Sequence, residues 1–238
     1  MIPKKIHYCW FGENKLPKKA EKCIESWKKY CPDYEIIEWN EKNFNINLNE
    51  YTKFTYENKL FAYLSDYVRL WVVEKYGGIY FDTDVELVKA PDQLLKNEAY
   101  FGFEGKDYIN TGVGFGAIAH QKSVKKMLEA YHRRGKSELA EEFEKYSRLT
   151  GSPKMNTYAL VPYGLEQSGL CQMVCGATIF SEEYFCPFND LTGELNITEN
   201  TVSIHWYTKS VEKRWAKIKV KFTRPIRFVV KKLRILLR

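Results

Sequence analysis

"YGGIYFDTDVEL", Tyr76–Leu87, is the stretch that decides the fold. Two glycines close a long apolar segment, and a run rich in β-formers follows with two aspartates one residue apart. Side chains in a strand alternate between faces. Ile79, Phe81, Thr83, Val85 and Leu87 then share an apolar face, and Tyr80, Asp82, Asp84 and Glu86 share the other. This reading predicts one strand over Ile79–Leu87, with the Asp82 and Asp84 Cα atoms about 6.6 Å apart on one side. Two carboxylates that close repel unless water or a cation separates them. Hard oxygen ligands suit Mg²⁺ or Mn²⁺, ions that commonly hold substrate phosphates as well. A strand running out into solvent would also carry such a pair, so the motif alone leaves both readings open.

Upstream, Asn58–Tyr76 reads as a helix that is apolar on nearly every side, with Leu60, Phe61, Leu64, Val68, Leu70, Trp71, Val72 and Val73. Such a helix is buried. Gly77 stands where a left-handed cap is wanted. Within this helix Asp66 and Arg69 are three residues apart and share a face. A buried charge needs a partner, so the two form a structural ion pair or face a polar site beside the aspartates.

Toward the N-terminus, Lys4–Trp10 reads as a first strand, Pro17–Lys29 as a helix and Asp33–Trp39 as a second strand. Strand, helix, strand predicts an α/β layered domain on a largely parallel sheet. Further strands are expected at Glu98–Glu104 and near Ala159–Val161, Thr178–Phe180 and Thr201–His205, with surface helices over Gln121–Ser147.

Composition narrows the function classes. The 238 residues, 16% of them aromatic and 28% charged, fit a folded domain rather than disorder. No apolar run is long enough to span a bilayer, and "MIPKKIHYCW" does not read as a signal peptide; a cytoplasmic location is the expectation. The six cysteines match no common zinc spacing and are expected to be free thiols. Lys213–Arg238 holds eleven basic residues and no acidic one, which leaves 26 basic against 30 acidic in residues 1–212. The chain therefore divides into a body, 1–212, and a basic tail, 213–238. From Pro225 onward, Ile226, Val229, Val230, Leu233, Leu236 and Leu237 fall on one helical face, and Arg227, Lys231, Lys232, Arg234 and Arg238 on the other. A basic amphipathic helix of this kind suits the surface of an anionic membrane on its cytoplasmic side, or packs its apolar face on protein. With an acidic body and no basic groove, nucleic acid is not an expected partner.

Taken together, "AYLSDYVRLWVVEKYGGIYFDTDVEL" (Ala62–Leu87) and "IPKKIHYCWFGENKLP" (Ile2–Pro17) resemble glycosyltransferase family 32, the sugar transferases with a DXD motif. That family includes bacterial capsular-polysaccharide enzymes and yeast mannosyltransferases, and its pattern is similar to the catalytic domains of large clostridial glucosylating toxins. The resemblance covers the first ninety residues densely and implies a GT-A fold, a Rossmann-like nucleotide-sugar-binding architecture, here with added helices. It implies transfer of a hexose, with retention of configuration, from a nucleotide sugar to a glycan acceptor. A UDP-hexose donor, a lipid-linked acceptor and a place in bacterial surface-polysaccharide synthesis are the finer expectations. The metal would be Mn²⁺ (or Mg²⁺), held by Asp84 directly, by Asp82, and by His205 of "SIHWYTKSV". Asp82 would also contact ribose or metal-bound water. Asp66 would hold sugar hydroxyls, Arg69 would reach sugar and diphosphate, and Asn110 of "YINTGVGFGA" would lie near the transferred sugar. Trp10 would stack on the nucleobase, Tyr80 would line the donor site, and Ser210 would close over the diphosphate, although Val211 stands where the family carries Trp. Read from the residues alone, Trp10 and His205 fit a core equally well. Two other readings are a nucleotidyltransferase, which also uses paired carboxylates, and a non-catalytic membrane-associated binding module.

Overall fold

The computed structural model describes residues 1–190 and 192–208. The basic tail and Ser210 lie outside the described residues. Strand β1 (Lys5–Cys9) leads into helix α1 (Lys18–Tyr30), whose Ala20, Cys23, Ile24 and Trp27 recur at helical spacing and are buried. Strand β2 (Glu35–Trp39) returns beside β1, parallel to it. Helices α2 (Glu50–Glu57) and α3 (Phe61–Tyr76) follow. The helix expected over Asn58–Tyr76 forms, with its start moved to Phe61. Asn58 caps the end of α2, Lys59 takes a left-handed φ of 56°, and the chain restarts at Phe61. Gly77, at φ 63°, ends α3. A Cβ there would meet the backbone N of Ala119 at 2.9 Å, so close approach as well as φ requires glycine.

The aspartate segment is also corrected. It forms two short strands, β3 (Gly78–Tyr80) and β4 (Val85–Leu87), with Asp82 and Asp84 in the turn between them. The Val85 N–H donates to the Asp82 carbonyl at 3.0 Å and closes that turn. The break arises because β3 and β4 serve different sheets. β3 pairs with β1 in the large sheet, and β4 crosses to pair with the last described strand. Tyr80 is buried, contrary to its expected polar face, because both faces of β3 are covered.

The remaining elements are β5 (Ala99–Glu104), β6 (Tyr108–Ile109), β7 (Phe115–Ala117), α4 (Lys122–His132), α5 (Lys136–Tyr146), α6 (Ser152–Leu160), β8 (Gln172–Val174), β9 (Ala177–Phe180) and β10 (Ser203–His205). The strand expected at Ala159–Val161 is instead the end of α6 and a following 3-10 turn. The large sheet has eight strands, ordered β2-β1-β3-β7-β5-β9-β8, with β6 paired to β5. β2, β1, β3, β5 and β9 run in one direction, and β7, β8 and β6 oppose them. A second, two-stranded sheet joins β4 to β10.

Two apolar cores flank the large sheet, one under α2, α3 and α4 and the other under α1. Trp27 of α1 is wholly buried, and its Nε1 donates to the Val85 carbonyl at 2.7 Å. The Leu87 N–H donates to Ser26 Oγ at 2.9 Å. These bonds hold β4 against α1 and so fix the direction in which the aspartate turn leaves the sheet. All six cysteines are free; Cys9, Cys23, Cys31 and Cys186 are buried, whereas Cys171 is exposed and Cys175 half-buried. Among the described residues, no helix is long and apolar enough to cross a membrane.

Candidate active site

The site forms where β1 and β3, parallel neighbours, both end. The Phe81 N–H donates to the His7 carbonyl at 3.1 Å, and one residue later the chain turns out of the sheet at Asp82. Crevices at the carboxyl ends of parallel strands are where open α/β sheets bind ligands.

Asp82 is held from three sides. Arg69 Nη2 donates to its two oxygens at 3.0 and 3.3 Å, and the Tyr80 hydroxyl donates to Oδ1 at 3.0 Å. The Asp82 N–H donates to the Gly112 carbonyl at 3.1 Å. A Cβ on Gly112 would stand 2.2 Å from Asp82 Oδ2, so only glycine lets this loop lie against the carboxylate. Burial pushes the Asp82 carboxyl above the usual carboxylate range, against the pull of Arg69.

Asp66 Oδ1 lies 3.0 Å from the same Arg69 Nη2. The pair is thus a buried ion pair and also part of the aspartate site. Burial raises the Asp66 carboxyl to about 6, with Arg69 opposing and Asp82 adding to the rise. Burial disfavours the Arg69 charge, but Asp82 and Asp66 more than compensate, so the guanidinium stays protonated. Its side chain is 5% exposed and stands behind Asp82, its cation 5.1 Å from the Tyr80 ring centroid. Among the described residues its Nε has no partner.

Asp84 is gripped by the end of β10 and the residues just after it. His205 Nε2 lies 3.2 Å from Asp84 Oδ1, and Thr208 donates to Oδ2 from its N–H at 2.7 Å and its hydroxyl at 3.0 Å. Burial works to raise the Asp84 carboxyl, but His205 and Thr208 outweigh it and hold it below the usual range. His205 shows the reciprocal effect: burial lowers its basicity, Asp84 raises it further, and the net shift is upward. Ligand atoms of Asp82, Asp84 and His205 all lie within 4.8 Å of one another. His205 Nδ1 is buried without a partner among the described residues. Two carboxylates and an imidazole, each offering one ligand atom within this distance, fit a divalent cation.

Asn110 is buried at the next loop. Its Oδ1 accepts from the Gly112 N–H at 2.7 Å and its Nδ2 donates to Glu104 Oε2 at 3.0 Å. Trp10 follows β1 at the same sheet edge, half-buried, its Nε1 donating to the Asn14 carbonyl at 2.5 Å. The structure therefore gathers Asp66, Arg69, Tyr80, Asp82, Asp84 and His205 around one turn, with Asn110 linked through Gly112. Among the described residues, Trp10 stands at the edge with its side-chain hydrogen bond made to Asn14 rather than to that cluster.

Sequence reasoning missed Thr208, Gly112, Glu104 and Tyr207. Thr208 and Tyr207 lie inside the quoted "SIHWYTKSV", and Gly112 inside "YINTGVGFGA", but nothing local tells that they touch residues some 30 to 120 positions away.

This sheet, with its aspartate turn at a strand's carboxyl end, defines a GT-A type α/β fold. The solved structure of the PaToxG glycosyltransferase superposes with a TM-score of 0.51 at 20% identity, covering 66% of this chain and 68% of that one. The resemblance drawn from Ala62–Leu87 holds as well: residues 17–101 match the family described as glycosyltransferase sugar-binding region containing DXD motif. Inositol phosphoceramide mannosyltransferase 3 of Schizosaccharomyces pombe is 33% identical over 103 residues, covering 42% of this chain and 29% of its own. Mannosyl phosphorylinositol ceramide synthase CSH1 of Saccharomyces cerevisiae is 32% identical over 108 residues, covering 42% and 27%. The chain thus spans less than a third of the length of these curated relatives.

Proposed function

We propose that this protein is a metal-dependent glycosyltransferase that moves a hexosyl group from a nucleotide sugar to a glycan acceptor. The observation that carries the reading is the convergence of Asp82, Asp84 and His205 within 4.8 Å, at the end of the strand that follows the matched helix. Asp84 and His205 would hold the ion, with Asp82 beside them. A bound divalent cation would neutralise the charge that grows on a departing nucleoside diphosphate. The chain's own residues do the rest. Arg69 and Tyr80 fix the Asp82 carboxylate, and Asp66 and Asn110 present polar atoms beside it. Trp10 offers a ring for the base.

The finer reading keeps Mn²⁺ as the metal and a UDP-hexose as the donor. The names of the two yeast relatives support a mannosyl donor as an alternative within the same class. Retention of configuration, a lipid-linked acceptor and a role in surface-polysaccharide synthesis rest on the family resemblance. The basic tail supports a place at the cytoplasmic membrane surface. The test is a donor hydrolysis screen with UDP-glucose, UDP-galactose and GDP-mannose, each with Mn²⁺ and with chelator. Release of sugar from one donor, dependent on the metal, is expected. No turnover with any nucleotide sugar, together with binding of nucleoside triphosphates, would replace the reading with nucleotidyl transfer.

A further inference from the structure

Tyr207 has a left-handed backbone, with φ 49°. A bulky aromatic residue takes that conformation only where its surroundings hold it there. Its place gives the strain a use. His205, two residues before, and Thr208, one residue after, both reach Asp84, one at each oxygen. An extended residue at 207 would send Thr208 onward along the strand direction and open this grip.

What holds Tyr207 is its side chain. Its ring centroid lies 4.2 Å from that of His205, and its hydroxyl lies beside the Glu104 carboxylate and the Cys186 thiol, both of which favour its protonated form. Glu104 is the last residue of β5, on a different part of the large sheet. The same carboxylate accepts from Asn110 Nδ2 at 3.0 Å. Asn110 Oδ1 accepts the Gly112 N–H at 2.7 Å, and the Gly112 carbonyl accepts the Asp82 N–H at 3.1 Å. Two chains of contact therefore start at Glu104. One runs through Asn110 and Gly112 to Asp82, and the other through Tyr207 to His205, Thr208 and Asp84.

We propose that Glu104 is the positioning residue of this metal site. Its one carboxylate sets the separation between the loop that carries Asp82 and the segment that closes on Asp84. It acts through Asn110 and Tyr207, and touches neither Asp82 nor Asp84 in the contacts described. Outer partners that orient ligands commonly change metal affinity by about 10- to 100-fold when removed. The inference rests on the proposed function only in naming a metal as the ligand; its second readout needs none.

The test compares Glu104→Ala, Glu104→Gln and Tyr207→Phe in the full chain. Mn²⁺ affinity is read from the electron paramagnetic resonance signal of free Mn²⁺, and the Asp84 grip from amide hydrogen exchange at Thr208 without metal. Glu104→Ala should weaken Mn²⁺ binding by about 10- to 100-fold and speed exchange at Thr208. Glu104→Gln can accept from Asn110 and donate to the Tyr207 oxygen, and should recover most of both. Tyr207→Phe, which removes only the hydroxyl, should move both in the same direction as Glu104→Ala and serves if that variant does not fold. Wild-type Mn²⁺ affinity and wild-type Thr208 exchange in a folded Glu104→Ala or Tyr207→Phe protein would overturn the proposal. A wild-type chain that binds no Mn²⁺ would remove the metal reading, while exchange at Thr208 would still decide whether Glu104 positions the grip.

Discussion

Nη2 of Arg69 lies 3.0 Å from Oδ1 of Asp82, thirteen residues away across the end of α3, two glycines and β3. The same nitrogen lies 3.0 Å from Asp66. One buried cation thus joins the apolar helix to the aspartate turn. Pairing with Arg69 offsets the cost of burying these charges only in part, since burial still leaves the Asp66 and Asp82 carboxyls above the usual range.

Removing that cation should destabilise the fold. Arg69→Ala leaves Asp66, and the half-buried Asp82, without the cation they share, and breaking such a buried pair typically costs about 3–5 kcal/mol. Arg69→Lys should recover only part, because a single ammonium does not reproduce the guanidinium fork. Urea unfolding checks this. An Arg69→Ala midpoint equal to wild type would show that the carboxylates find water instead.

Asp66 gives a pH signature. Its native-state value of about 6 lies above the ordinary 3.8. Below about pH 4 the carboxyl is protonated in both states; between the two values the native state binds the extra proton. Its contribution is therefore full at low pH and is lost as pH rises through 6, up to about 3 kcal/mol at 1.36 kcal/mol per unit. The stability of wild type relative to Asp66→Asn should fall from pH 4 to pH 7 without metal. A difference that is flat or rises over that window contradicts the assignment.

Much of this arrangement was legible in sequence, because its signals are local. The apolar helix, the glycine pair and the spacing of Asp66 and Arg69 all lie within Phe61–Leu87. The alternation argument failed at Asp82–Asp84 because β4 departs to pair with β10, more than a hundred residues later. The aspartates still converge, through a turn rather than a strand. The helix expected from Asn58 starts three residues later because Lys59 takes a positive φ, for which lysine carries no signal. Apolar residues at Ala159–Val161 fit a strand or a helix end equally, and length alone could not arbitrate. The partners of Asp84 come from Thr208, 124 residues away, and no spacing rule spans that distance.

Trp10 is the proposed base platform. Its half-buried ring follows β1, and its indole N–H is already used by Asn14, so the ring face is what remains to offer. Trp10→Ala should weaken UDP binding by about 1–3 kcal/mol, the range of base–aromatic stacking, with a small change in melting temperature. A large stability loss with unchanged UDP affinity would make it a core aromatic instead.

For the tail, the proposal of a membrane-surface helix predicts a salt-sensitive interaction. Full-length protein should co-sediment with anionic phosphatidylglycerol liposomes and be released at high salt, since each basic residue near such a surface contributes about 1 kcal/mol. A version ending at Thr223 should stay in solution and still fold. Equal partitioning of the two, or an unfolded truncation, would indicate a helix packed on protein.

The central claim is that the aspartate turn and His205 form a metal-dependent donor site. Titration calorimetry of the accepted donor into wild type and Asp84→Ala, each with and without Mn²⁺, tests it most directly. The wild-type chain should bind the donor tightly only with Mn²⁺. A folded Asp84→Ala should lose that metal dependence, with turnover lower by at least ~100-fold. Metal-dependent donor binding that persists unchanged in folded Asp84→Ala would contradict the account.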